Sequence, residues 1–258
     1  MVAIIGFRRR FGTILEQNVT RRWARLADRA DAMDLAALEK LRDRARRLRR
    51  HADRLLHVAD GRLTLPRIDS AVPRPLHADW VHRAPLWSGP VFPAGRASVE
   101  NEMAIGPGAT LFHDCRVSEI SFRQIRNTGA DDLAPFGARF DVFAFDGSFL
   151  SLVLDLPPQG VDGLKKRHIL GLTLTVETEK PLEMFARLNI RHGPNTEQIV
   201  REFPMDATEM TVEFDLGYTE LNERRIERAW IDLIFEGPQM NQIVLRDITT
   251  ARRPRADL

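Results

Sequence analysis

The chain has 258 residues, with 38 Lys+Arg against 36 Asp+Glu (formal net charge +2) and 43% hydrophobic residues. These proportions fit a folded globular chain with room for one large domain, or one domain and an appendage, and they exclude global disorder. A single cysteine, Cys115, excludes an intramolecular disulfide and a thiolate zinc cluster and points to a reducing compartment.

The opening residues Met1 to Phe7 are apolar but run straight into Arg8, Arg9 and Arg10. That is the reverse of a secretory signal's charge order, and the run is far too short to span a bilayer. The expected location is cytoplasmic, with peripheral attachment at the inner membrane surface as its variant. The near-neutral total hides an asymmetry: residues 1–62 hold 16 Arg/Lys and 8 Asp/Glu, the remainder 22 and 28. The two parts are expected to do different jobs.

Between residues 14 and 60 the apolar positions Val19, Trp23, Leu26, Ala30, Met33, Ala37, Leu41, Ala45, Leu48, Ala52, Leu55 and Ala59 recur every three or four residues. This spacing predicts one long amphipathic helix, or two broken near Asp31 to Asp34, with Gly61 at the C-cap. Small Ala residues along the seam suit close packing on another helix, including a second copy of this one, so a homo-oligomer is one expectation. The run Lys40 to Arg50 carries seven basic residues and one acid. Its basic face, Arg42, Arg46, Arg49 and Arg50, suits a protein partner or an anionic membrane surface. Nucleic acid ranks below these, because no helix-turn-helix, zinc or RNP signature is present to read a sequence.

Pro66, Pro73, Pro75, Pro85, Pro90 and Pro93 follow, with Trp80 and Trp87 among them. That density argues against helix and ladder strands, while the tryptophans argue for an ordered wrap rather than a solvated linker. From about Ala97 the pattern changes to period-2 alternation, clearest at Leu150 to Leu156, Leu170 to Val176, Met184 to Ile190, Met210 to Leu216 and Ala229 to Phe235. Weaker runs at Ala109 to Asp114, Glu119 to Arg126, Ala138 to Phe145, Gln198 to Phe203 and Gln242 to Thr250 bring the number to about ten strands, the pattern of two packed antiparallel sheets.

On the strand from Met184 to Arg191, the parity opposite the core places Arg187, Asn189 and Arg191 on one outward face, with His192 and Asn195 at the adjoining turn. Trp230 has the outward parity of its own strand. Guanidinium and amide groups suit hydroxyl or carboxylate recognition, and an indole suits stacking on a sugar ring, so Arg187, Asn189, Arg191 and Trp230 form the candidate ligand-binding set. The competing structural reading pairs Arg187 and Arg191 with Glu213, Asp215 or Asp232 as cross-strand ion pairs. His113, Asp114 and Cys115 are consecutive, so alternation keeps them from forming a triad, and no nucleophile elbow, phosphate loop, Rossmann fingerprint or metal-ligand spacing occurs. No enzyme activity, metal or cofactor is expected.

The segment Trp230 to Pro238, followed by Asn241 to Thr249, resembles the closing hairpin of galactose-binding-like jelly rolls, and Gly147 to Leu152 resembles one of their early strands. That resemblance implies a mainly β fold, an antiparallel jelly-roll β-sandwich preceded by an N-terminal α-helical arm, binding glycans or proteins without catalysis. It also offers Asp247, with Glu100 or Glu102, as a structural calcium site, with a capped or salt-bridged Asp247 as the favoured reading. Over nearly its whole length, including His113 to Arg116 and Ile190 to Gln198, the chain is similar to a bacterial family of unknown function, which supplies no mechanism. The expected organisation is a basic amphipathic arm at 1–62, a Pro/Trp-rich connecting wrap at 63–96 and a galactose-binding-like β-sandwich at 97–258. Its expected function is non-catalytic recognition of a glycan or protein partner through the sandwich, with the arm for association. The alternative is a peripheral membrane, assembly or structural protein that uses the Arg-rich helix.

Overall fold

The computed structural model describes residues 18–64, 72–129, 131–204 and 207–255. The apolar opening, Arg8 to Arg10 and Pro66 lie outside the described residues. The chain divides into two compact units between Leu55 and Leu56. No helix among the described residues is long and apolar enough to cross a membrane.

The first unit is helical. Helix α1 covers 18–28, and a 3-10 turn at Ala30–Ala32 separates it from α2, Leu35–Thr64, whose residues from Leu56 onward belong to the second unit. Of the two alternatives, the broken helix is therefore the one observed. The Asp34 side chain accepts a hydrogen bond from the Ala37 N–H at 2.8 Å, the N-cap interaction that starts α2. Trp23, Leu26, Ala30, Met33, Leu38, Leu41 and Ala45 are the half-buried positions up to residue 45; Val19 and Ala37 of the expected stripe are exposed, and Leu38 takes the place expected of Ala37. Gly61 is no C-cap: α2 continues to Thr64, and a Cβ at Gly61 would stand 2.5 Å from the Pro90 ring. Glycine sits there to permit close approach, not to end the helix.

The second unit holds a β-sandwich with thirteen strands among the described residues: β1 Trp80–Arg83, β2 Gly95–Arg96, β3 Met103–Gly106, β4 Ala109–His113, β5 Ile120–Arg126, β6 Phe136–Val142, β7 Leu150–Asp155, β8 His168–Thr178, β9 Glu183–His192, β10 Asn195–Glu202, β11 Glu209–Asp215, β12 Ile226–Glu236 and β13 Asn241–Pro254. One-turn helices α3, Pro85–Ser88, and α4, Pro158–Val161, lie between strands. The first sheet runs β11-β8-β13-β6-β5-β2, with β1 also paired to β13, and the second runs β10-β9-β12-β7-β4-β3. At most steps the chain crosses from one sheet to the other (β6 to β7, β8 to β9 and β12 to β13 among them), which is jelly-roll connectivity. All the pairings are antiparallel.

Alternation fills the space between the sheets. Leu170, Leu172 and Leu174 from one sheet and Leu188, Ile190, Ile231 and Leu233 from the other are buried in a single core. Phe140 bridges Phe122 at 5.6 Å and Phe235 at 6.4 Å between ring centroids. The wrap is ordered where it is described, and it holds more regular structure than its proline content suggests. Trp80 to Arg83 is proline-free and pairs with β13, while Pro85 stands in the first turn of α3, the helical position that tolerates proline. Trp87 is fully buried and donates its indole N–H to the Leu245 carbonyl at 2.9 Å. The Gln124 side-chain amide on β5 ties this segment down, donating to the Leu86 and Gly89 carbonyls and accepting from the Val91 N–H.

Candidate functional site

The second sheet presents its outward face through odd-numbered residues of β9 and even-numbered residues of β10 and β12. The register sets Asn189 opposite both Gln198 and Trp230, and Arg187 opposite Asp232. Thus Arg187, Asn189 and Trp230 come together on one face, as parity predicts, and Asp232 stands at their centre. Asp232 and Asn189 are 4% and 1% exposed, unusually low for an outward position on an open sheet. Phe185, Ile234, Val153 and Phe112 are half-buried around them, giving a polar patch set in an apolar floor.

The patch is built around one oxygen. Asp232 Oδ2 accepts from Arg187 Nε at 2.8 Å, from Arg187 Nη2 at 2.7 Å and from Asn189 Nδ2 at 3.0 Å. Asn189 is fixed in turn by donating to the Arg187 carbonyl and accepting from Gln198 Nε2 at 2.9 Å. Asp232 Oδ1 receives no hydrogen bond from the described residues, although its side chain is only 5% exposed. Sequence reasoning named Asp232 only as an ion-pair partner and missed Gln198. The signal was available, because both share the outward parity of Asn189.

Arg191 lies at the end of the same face, bonded at 3.1 Å to Glu227, with both side chains more than half exposed. It takes no part in the central network. Glu213 and Asp215 belong to β11 of the other sheet and pair with Arg253 and Arg255, so of the three acids named for cross-strand pairing only Asp232 engages Arg187. Trp230 is half-buried and carries the Arg228 guanidinium 4.4 Å from its ring centroid, and Arg228 also bonds Asp155. One side of the indole is therefore already occupied by a cation. His192 shares the core parity of Ile190 and is buried, so it points away from the patch, while Asn195 is exposed at the start of β10.

The other candidates resolve into structural roles. Arg246 is an extra residue in β13, the register shifting between Leu245 and Asp247, and this bulge turns Asp247 outward. There it accepts Arg83 Nε at 2.8 Å and Nη2 at 2.7 Å, a bidentate ion pair with the Arg83 side chain 1% exposed. The proposed calcium ligand is thus bound to a guanidinium. No group of three or more His, Cys, Asp or Glu capable of holding a metal occurs among the described residues. His113 is buried with Nε2 2.8 Å from the Val99 carbonyl, and its Nδ1 accepts from the Cys115 N–H. Asp114 instead caps the Ser148 and Phe149 N–H groups; its bond from the Ser148 hydroxyl lowers its pKa. Burial raises the Cys115 pKa, the wrong direction for a thiolate nucleophile. On α2, Arg42 pairs with Glu39 and Arg49 with Asp53, and Arg46 and Arg50 are exposed.

The sequence profile of a family described as "Family of unknown function (DUF6478)" matches residues 6–258. A comparison with curated proteins gives no match. Among solved structures, the chain is similar to the enzymatically active domain of bacteriophage CBA120 tailspike protein 4 (11% identity, TM-score 0.39), covering 58% of this chain but only 21% of the tailspike chain. It is also similar to the CBM22-1 xylan-binding domain of Paenibacillus barcinonensis Xyn10C (8% identity, TM-score 0.37), covering 72% of this chain and all of the other. A family 11 carbohydrate-binding module from Clostridium thermocellum matches at 10% identity and a TM-score of 0.35, over 61% of this chain and 96% of the module. At these scores the likeness assigns no ligand.

Proposed function

Because the chain belongs to a family of unknown function, its activity has to be argued from its own residues, and we propose that the sandwich is a non-catalytic module that binds a glycan on the outward face of its second sheet. One observation carries this reading. A nearly buried carboxylate, Asp232, is oriented by Arg187 and Asn189 on one oxygen and leaves the other unfilled, two residues along β12 from Trp230 and on the same face. A sugar meets those requirements, since a hydroxyl donates to the open oxygen while the C–H face of the ring lies on aromatic or aliphatic surface. Preorganisation favours binding, because Asn189 and Arg187 are already locked and little side-chain freedom is lost on association. The groups present are holders and acceptors. His113 and Cys115, the residues closest to a nucleophile and base, are committed to backbone bonds and to burial.

Affinity electrophoresis of the full chain through gels containing neutral or uronic-acid polysaccharides tests the proposal. Retardation by at least one polysaccharide is expected, and Asp232→Asn and Trp230→Ala should each reduce it. Unretarded migration in every gel, or retardation untouched by both variants, would overturn the assignment.

A further inference from the structure

The seam of α2 repeats with a period of seven once the helix restarts after Asp34. Leu38, Ala45, Ala52 and Ala59 occupy one core position of a heptad, and Leu41, Leu48 and Leu55 occupy the other. A strict two-in-seven stripe of this kind matches the packing seam of a coiled coil, with alanine at one position allowing close approach of the helices. The front of the seam is half-buried, but Leu48, Ala52 and Leu55 are exposed, Leu48 by 45% and Leu55 by 69%.

Charge decides what can cover that stripe. The flanking heptad positions are Arg42, Arg49 and Leu56 on one side and Ala37, Arg44, His51 and Val58 on the other, so the charged ones beside Leu41 to Ala52 are basic, and residues 38–59 hold eight Arg/Lys against three Asp/Glu. In a parallel pair of identical helices Arg44 would face Arg49 of the second copy. In an antiparallel pair Arg42 and Arg49 would face their own equivalents. Both arrangements place like charges across the seam, which disfavours self-association. A lipid surface would satisfy the charge, but a helix lying in a bilayer interface needs a broad apolar face, and three of the seam positions are alanine.

We infer that the exposed seam of α2, centred on Leu48 and Leu55, docks a separate amphipathic helix whose flanking heptad positions carry Asp or Glu, forming a heterotypic coiled coil. The local pairs Arg42–Glu39 and Arg49–Asp53 do not compete strongly, because they join exposed side chains within one helix. This inference is independent of the sandwich and its ligand.

The test uses the full chain and two synthetic helical peptides with leucine in both core heptad positions, one with Glu in the flanking positions and one with Gln. Calorimetric titration is expected to show binding of the Glu peptide, weaker binding of the Gln peptide and a loss of affinity as salt rises. Leu48→Glu combined with Leu55→Glu should weaken binding of the Glu peptide at least about tenfold while leaving the far-ultraviolet helical signal unchanged. Equal binding by the wild type and the double variant, or no binding by either, would overturn the inference. So would a dimer of the chain alone in sedimentation equilibrium that the double variant dissolves. Retention of the wild type but not the double variant on vesicles of phosphatidylserine and phosphatidylcholine, with neither binding the peptide, would overturn it in favour of lipid.

Discussion

Arg187 and Asp232 face each other across β9 and β12 and meet at a single oxygen, with Arg187 Nη2 2.7 Å and Nε 2.8 Å from Asp232 Oδ2. The Arg187 side chain is 39% exposed and the Asp232 side chain 5%, so most of the pair's exposed surface belongs to the arginine. Arg187→Ala leaves the Asp232 carboxylate with the Asn189 amide as its remaining donor, and a cost of about 1–3 kcal/mol is expected for stranding a buried acceptor. Urea denaturation of the variant beside Asp232→Asn measures this. Asp232→Asn, which removes the charge along with its need for a partner, should cost less.

Arg83 and Asp247 make a more deeply buried pair between β1 and β13. Removing one partner alone, as in Arg83→Met, is expected to cost about 3–5 kcal/mol because the other charge remains buried. Replacing both, as in Arg83→Met with Asp247→Leu, should recover much of that loss. The coupling is read from a double-mutant cycle in chemical denaturation, and additive losses would contradict it.

Trp87 makes the wrap part of the sandwich core. Trp87→Ala is expected to destabilise the fold by about 3–5 kcal/mol through the cavity it leaves. Trp87→Phe should cost less, retaining the ring but orphaning the Leu245 carbonyl. A wrap that is only a linker would tolerate both, and the thermal midpoints of the two variants distinguish these outcomes.

Burial lowers the pKa of His82, and burial followed by the Arg252 charge lowers that of His168. With folded values below the unfolded ones, the unfolded chain takes up protons first as the pH falls. Stability from these two groups is therefore complete above the ordinary imidazole value and declines below it. The urea midpoint should fall between pH 7.5 and pH 5.5. His82→Phe, which keeps a ring stacked beside Trp80, should flatten part of that fall.

The five clear alternating runs correspond to strands β7, β8, β9, β11 and β12, since a half-buried strand writes its two faces directly into the sequence. Strands β1, β2 and β3 were not legible. They are two to four residues long, too short for a period to show, and they lie among prolines and glycines. The face that gathers Arg187, Asn189 and Trp230 could be read from parity, and Asp232 was named among the acids able to pair with Arg187, but that it stands opposite Arg187 where Glu213 and Asp215 do not could not be read, because parity does not give the register between strands. Asp247 is salt-bridged, the reading favoured over a calcium ligand, but its partner was not legible: the bulge at Arg246 changes which face the last strand presents, and Arg83 lies 164 residues away in sequence. Gly61 was read as a helix stop because its reason for being there, the Pro90 ring, is also distant in the chain.

The most direct measurement is of the indole N–H resonances of the ¹⁵N-labelled chain, which has four tryptophans, Trp23, Trp80, Trp87 and Trp230, during titration with a mixture of neutral and acidic oligosaccharides. The account predicts that the Trp230 resonance shifts in a saturable way, that the buried Trp87 resonance stays in place, and that Asp232→Asn reduces the response. A saturable shift confined to another tryptophan, or no shift at any of the four, would contradict a glycan site on the second sheet.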